Sequence, residues 1–332
     1  MAATSAGRAT PEFAPVELRS FAAGKPPLLD LYHLVGDQYI LYCEGQAVFA
    51  EDARRRLLEN GVAELYVRVT AGQVDAGGLS LPDILALPDS QVPPLLKAGI
   101  LYSSAISAAR TVFAAPGSQE GLSIARWLVG TIVASLTRDP SALRILAQMM
   151  RHDFSLYSHS VNVCAYATIL GDALGIERGE LFNVGLGAFL HDVGKTRIPQ
   201  AILAKPGPLS EREWSIVRRH PEWGVQLLGA ETHKWVAVRV VVLQHHELLD
   251  GSGYPEGLRG QEIHPLGRLV TLVDVYDALT SERPHRPALS PFEALRTIKG
   301  EMAGKVDHEL FATFVQTLGH HGGEGEPNSL SR

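Results

Sequence analysis

Cysteine is scarce in this 332-residue chain: Cys43 and Cys164 are its two thiols, far apart and in no metal-ligand or paired spacing. That excludes a disulfide framework, and a reduced, cytoplasmic setting is expected. Long apolar runs are lacking too. The densest, residues 236–243, is broken by Arg239 and falls far short of the ~20 residues a membrane span needs. Residues 1–15 hold no apolar core of the kind a signal peptide carries, and they read as part of a disordered tail over residues 1–25. Positive charge is in deficit, with 30 Lys and Arg against 36 Asp and Glu for a net charge of −6. A nucleic-acid polymer is a poor partner for such a chain, because that binding rests on basic groups that neutralise phosphates. A small phosphate ligand stays compatible, since a metal or an arginine pocket can hold it locally. What is present is ordinary: 45% hydrophobic and 20% charged residues, the composition of a folded globular protein.

The pattern divides the chain. Over residues 26–90 the apolar runs YILYC (39–43) and LYVRV (65–69) flank AEDARRRLLENG (50–61), which predicts a small α+β module and a linker, with Gly61 at a helix C-cap. That module has no cluster of His, Asp or Glu and no glycine-rich phosphate loop. Residues 91–150 carry apolar positions three and four apart, broken at Pro116-Gly117 and Asp139-Pro140, and read as connecting helices. From 151 to 320 nearly every segment reads as helix. Two starts are marked by Ser210 with Glu213 and by Ser290-Pro291 with Glu293. Residues 321–332 are Gly- and Ser-containing and polar, and read as a second disordered tail. The fold class expected is mainly α: an all-α second domain behind a small α+β module.

Chemistry gathers in that second domain. His159 lies in an otherwise apolar helix, SHSVNVCAYATIL (158–170), where an imidazole needs a partner or a cavity. His191 and Asp192 close the apolar run NVGLGAFL, and His245 and His246 close VAVRVVVLQ. His220 precedes Pro221, whose ring should kink or end a helix there. Asp274 sits among apolar neighbours in GRLVTLVDVYDALTS, where a carboxylate is costly to bury unless paired or bound to a cation. Singly, each has an ordinary explanation: a satisfied core histidine, a helix-end cation, a salt bridge. Jointly they make seven nitrogen and oxygen donors in one helical region, enough for two divalent ions. Such a pair suits phosphoester hydrolysis, with a hydroxide nucleophile generated between the ions. A bridging carboxylate is then needed, and Asp192 is the choice.

The ordered motifs HDVGK (191–195), KPGPLSEREW (205–214), RHP (219–221), HHE (245–247), DGSGYP (250–255) and DVYDALTSERPHR (274–286) resemble the HD-GYP family of phosphodiesterases over about residues 153–318. The resemblance implies an HD-superfamily helical catalytic domain over 151–320 and hydrolysis of cyclic di-GMP to the linear dinucleotide pGpG or to GMP. It implies the same seven metal ligands, with iron or manganese favoured over zinc or nickel. Carried over by position, Lys195 would hold a scissile phosphate oxygen, and Tyr254, Asp277, Arg283 and Arg286 would line the nucleotide pocket. Where some members place a further ligand, this chain has Ser155 and Leu156, so two metals are expected, not three. His285 replaces the tyrosine of the RPYR motif, and Val306 the aromatic of a later motif, which bears on substrate preference. The partners implied are the cyclic dinucleotide and, through either domain, a second copy or a signalling protein such as a diguanylate cyclase. Two rival readings are a cyclic-dinucleotide receptor with little turnover and an HD-type hydrolase of another nucleotide.

Overall fold

The structure is a computed structural model that describes residues 12–18, 30–43, 51–70, 73–74, 80–89, 92, 94–138, 155–229, 235–282 and 286–322. The chain divides into two units, residues 1–135 with 148–150 and residues 136–147 with 151–332.

In the first unit, β1 (Glu12–Glu17), β2 (Leu31–Val35), β3 (Gln38–Cys43), β4 (Glu64–Thr70) and β5 (Gln73–Val74) form an antiparallel sheet in the order β1-β4-β2-β3, with β5 also paired to β4. Helix α1 (Glu51–Glu59) ends at Gly61, whose φ of 77° is the left-handed conformation expected of a glycine cap. The tail reading of residues 1–25 is corrected by β1, which pairs with β4 from Glu12↔Val69 to Glu17↔Glu64. Pro15 breaks the alternation that would have marked a strand. Its missing N–H is tolerated here because β1 is the sheet's edge. After the short α2 (Leu81–Ala86), whose Ser80 and Asp83 form a capping box, come α3 (Pro94–Ala114) and α4 (Gln119–Leu136). Helix α3 packs on β1 and β4 and buries Ile100, Ala105, Ala108 and Ala109, so it belongs to the core of this unit and is more than a connector. Pro116 and Gly117 separate α3 from α4, as the sequence suggested; Asp139-Pro140 lies outside the described residues.

The second unit is helical. Its helices are α5 (Leu156–Ala173), α6 (Arg178–Leu190), α7 (Gln200–Leu203), α8 (Glu211–Val217), α9 (His220–Leu228), α10 (Val236–Gln244), α11 (Pro265–Thr280), α12 (Pro291–Glu301) and α13 (His308–Gly322), with a 3₁₀ turn at Val193–Arg197. Both marked starts are capping boxes, at Ser210 with Glu213 and at Ser290 with Glu293. Helix α13 takes up the first two residues of the expected tail, and the remainder lies outside the described residues. Helix α5 is central, packed by α6, α11 and α13, and every residue from Ser158 to Gly171 is buried. A helix apolar on all sides demands that position. Its polar residues must then find partners. Ser160 and Thr168 donate to carbonyls of their own helix, those of Leu156 and Cys164, whereas His159 and Asn162 reach outward to α11. Among the described residues no helix is long and apolar enough to cross a membrane.

Candidate metal centre

Five segments of the helical unit bring seven side chains together. His159 comes from the first turns of α5, His191 and Asp192 from the end of α6, His220 from the start of α9, His245 and His246 from the end of α10, and Asp274 from α11. The break expected at His220-Pro221 is real: α8 ends at Val217, and Pro221 stands in the first turn of α9. The approach of α9 to the Asp192 segment depends on Gly194, where a Cβ would lie 1.9 Å from the His220 carbonyl oxygen. No other residue fits there without separating the two chain segments.

The Asp192 carboxylate divides the histidines into two groups. Its Oδ2 lies 3.3 Å from His191 Nε2 and 3.5 Å from His159 Nε2. Its Oδ1 lies 3.3 Å from His220 Nε2 and 3.8 Å from His245 Nε2. Asp274 also reaches both sides, with Oδ1 3.0 Å from His159 Nε2 and Oδ2 3.7 Å from His246 Nδ1. His159, His191 and Asp192 form one set of candidate ligands, and Asp192, His220, His245 and His246 the other; within each set the ligand atoms lie within 4.8 Å of one another.

The backbone fixes which ring nitrogens face inward. Nδ1 of His191, His220 and His245 donates to the carbonyls of Ala188, Val217 and Val242 at 2.6, 2.8 and 2.9 Å. A carbonyl accepts only, so in each neutral ring Nε2 is left as a lone pair. His220 Nε2 and His245 Nε2 then stand 3.1 Å apart. Beside them the buried Asp192 Oδ1 accepts no hydrogen bond among the described residues. Lone pairs and an anionic oxygen gathered without a donor are the set a divalent cation takes, and rings anchored through their far nitrogen are the usual second layer of such a site. These residues fit a metal.

The electrostatics follow from the same packing. Burial, and for His245 the neighbouring His246 and His191, holds the imidazoles of His220 and His245 below their ordinary value; burial likewise takes His246 down to about 3 against the pull of Asp274. Burial would also depress His159, but hydrogen bonds to Asp274 and Asp277 reverse this and raise it to about 9. Burial acts to raise Asp192 and Asp274. The charge of Lys195 together with His191 and His220 outweighs it for Asp192, and the hydrogen bond and charge of His159 together with His246 and His191 do so for Asp274, leaving both carboxyls well below the usual range.

The residues expected to line a nucleotide pocket are not all where the sequence put them. Lys195 Nζ donates to Asp192 Oδ2 at 2.6 Å, at the cluster itself. Tyr254 stands at its mouth, half-buried, with its ring 4.7 Å from that of His246. Asp277 is corrected: it is 2% exposed, its Oδ2 accepts from His159 Nδ1 at 2.7 Å and its Oδ1 from Asn162 at 2.9 Å, so it lies behind the cluster and supports a ring. Arg286 donates to the carbonyls of Ala278 and Leu279 at the end of α11. Arg283 lies outside the described residues. Two contributors were missed. Asn162, one turn after His159, shares its helix face and its partner. Glu247 is 1% exposed and accepts the backbone N–H groups of Glu256, Gly257 and Leu258 at 2.7, 3.2 and 2.9 Å, pinning the loop that carries Tyr254. Gly253 lets that loop fold back, since a Cβ there would lie 2.5 Å from the His246 carbonyl oxygen.

A family profile described as HD domain matches residues 144–310. The chain belongs to the HD-domain family. The HD domain carries the whole His and Asp cluster, and the HD-GYP resemblance read from the motifs is borne out. Over 284 residues the chain is 34% identical to cyclic di-GMP phosphodiesterase PA4108 of Pseudomonas aeruginosa, an alignment covering 80% of this chain and 67% of that protein. It is 36% identical over 160 residues to 3'3'-cGAMP-specific phosphodiesterase 3 of Vibrio cholerae, covering 48% of this chain and 35% of that protein. Among solved structures, Bd1817, a HDG"Y"P protein from Bdellovibrio bacteriovorus, is similar with a TM-score of 0.63 at 21% identity, covering 93% of this chain and all of that one. That likeness concerns the fold, which is mainly α with a small sheet in the N-terminal region.

Proposed function

We propose that this protein is a metal-dependent phosphodiesterase that hydrolyses a cyclic dinucleotide, with cyclic di-GMP the substrate its motifs favour, and that it acts in the cytoplasm. The observation that carries the reading is the Asp192 carboxylate, which turns one oxygen to each of two imidazole pairs whose Nε2 atoms converge on it. His159, His191, Asp192, His220, His245, His246 and Asp274 would hold two divalent cations, and iron or manganese suits this mixture of imidazole and carboxylate. Bound there, the cations supply a strong nucleophile from water at neutral pH and offset charge on the phosphoryl oxygens.

The chain's own groups supply the rest. The Ala188, Val217 and Val242 carbonyls and the Asp277 carboxylate set the rings in advance, so little reorganisation accompanies the reaction. Lys195 keeps a positive charge at the cluster, where it can turn from Asp192 to a phosphoryl oxygen and stabilise the charge that develops. Tyr254, held by the loop that Glu247 pins, walls the mouth. The activities named for the Pseudomonas and Vibrio relatives support the same chemistry.

The test is metal analysis of protein purified without oxygen, joined to product analysis after incubation with cyclic di-GMP and with cyclic GMP-AMP. About two metals per chain and a linear dinucleotide or mononucleotide product are expected. Binding without product would point to a receptor, and neither binding nor product to a hydrolase of another nucleotide.

A further inference from the structure

The guanidinium of Arg218 lies over two aromatic rings, 5.8 Å from the centroid of Trp214 and 5.9 Å from that of Tyr254. Trp214 and Arg218 are four residues apart at the end of α8 and share a face. Tyr254 comes from the loop after α10 and rests against His246. A continuous stack therefore leads outward from the cluster, through His246, Tyr254 and Arg218 to Trp214. Its outer end is open: Arg218 is exposed, and Trp214 is 41% exposed. Other cations of the helical unit are engaged within the protein, Lys195 with Asp192, Arg268 with Asp307 and Arg286 with two carbonyls. The Arg218 guanidinium makes no hydrogen bond or ion pair among the described residues. A planar cation steadied by two rings, with its N–H fork unspent and one ring away from the cluster, is equipped to receive an anion.

We infer that Arg218 binds the second, non-scissile phosphate of a cyclic dinucleotide, an inference that rests on the phosphodiesterase reading of the cluster. Such a ligand carries two phosphodiesters in one ring. When one lies on the cluster, the other projects away from it, still charged, toward a protein whose net charge is −6. It needs a local cation, and arginine meets phosphate oxygens through two parallel N–H bonds. The exposed Trp214 ring beside it offers an adjoining base a face to stack on. Phosphate recognition does not distinguish purines. Arg218 should therefore contribute equally to cyclic di-GMP, 3'3'-cGAMP and cyclic di-AMP, whereas an arginine reading the O6/N7 edge would favour guanine.

The experiment uses the metal-loaded full chain as wild type, Arg218→Ala and Arg218→Lys, and measures Kd, KM and kcat with the three cyclic dinucleotides. Arg218→Ala is expected to raise Kd and KM about 10–100-fold for all three, the worth of a charge-assisted hydrogen-bonded pair, with kcat and metal content close to wild type. Arg218→Lys should recover part of the loss. Unchanged Kd and KM in Arg218→Ala, a loss confined to guanine-containing ligands, or a fall in kcat at constant KM would each overturn the inference while leaving the phosphodiesterase reading intact. A wild-type protein that takes up metal yet neither binds nor cleaves any of the three overturns both.

Discussion

Asp277 Oδ2 accepts the Nδ1 proton of His159 at 2.7 Å, across 118 residues of sequence. The bond fixes the face that His159 turns to Asp192 and Asp274 and raises the basicity of the nitrogen that would meet a metal. Asp277→Asn keeps the shape and removes the charge. Metal affinity is expected to fall about 10–100-fold, with helical content unchanged, and competition titration against a chelator reads it directly. Wild-type affinity in this variant would mean that His159 is oriented by something else.

Asp192 is the hinge of the site, since it belongs to both sets of candidate ligands. Asp192→Ala should leave a folded protein with neither bound metal nor hydrolysis. Elemental analysis and circular dichroism on one sample separate loss of metal from loss of fold. Retained turnover would remove Asp192 from its role.

Much of this was legible in the sequence, and what was not has a common cause. Six of the seven donors show themselves because each interrupts or closes an apolar helical run, where a polar group has no cheap resting place; His220 is marked instead by the proline behind it. Gly61 and the Ser210 and Ser290 boxes are local signals and give local structure. Asp277 and Arg286 sit in the strongest motif of the chain, yet their roles depend on partners their neighbours do not reveal: a ring on α5 in one case, the last carbonyls of α11 in the other. Strand β1 owes its existence to β4, some fifty residues away in the numbering of their register, and Pro15 hides its pattern. Glu247 stands beside two histidines in the HHE motif, but its partners are the backbone N–H groups of the loop that follows, which sequence does not reveal.

That loop supplies the next prediction. Three backbone N–H groups end on one buried carboxylate, so Glu247→Ala strips all three of their acceptor at once. A loss of about 2–4 kcal/mol of stability is expected, read as a lower unfolding midpoint. Because Tyr254 rides on the same loop, KM should rise more than kcat falls, while metal content stays at the wild-type level. Unchanged stability and KM together would show that the loop is held by other contacts.

The cluster also sets a pH profile for the metal-free protein. His220, His245 and His246 have folded-state values below the ~6.5 of an unfolded histidine, and His246 lies at about 3. Their contribution to stability is whole above that unfolded value and is lost as pH falls toward the folded ones, because the unfolded chain binds more protons. His159 has the opposite sign: raised to about 9, its contribution is whole below the unfolded value and is lost as pH rises through 9. The melting temperature of the metal-free protein should therefore peak near neutrality, with the acid limb steeper because three imidazoles act there against one on the alkaline side. Metal loading should lift the alkaline limb, since a metal takes the unprotonated His159 nitrogen that alkaline solution provides. Thermal melts from pH 4 to 10, with and without metal, check both limbs. A metal-free profile flat from pH 7 to 5 would mean that the imidazoles are not held neutral by burial.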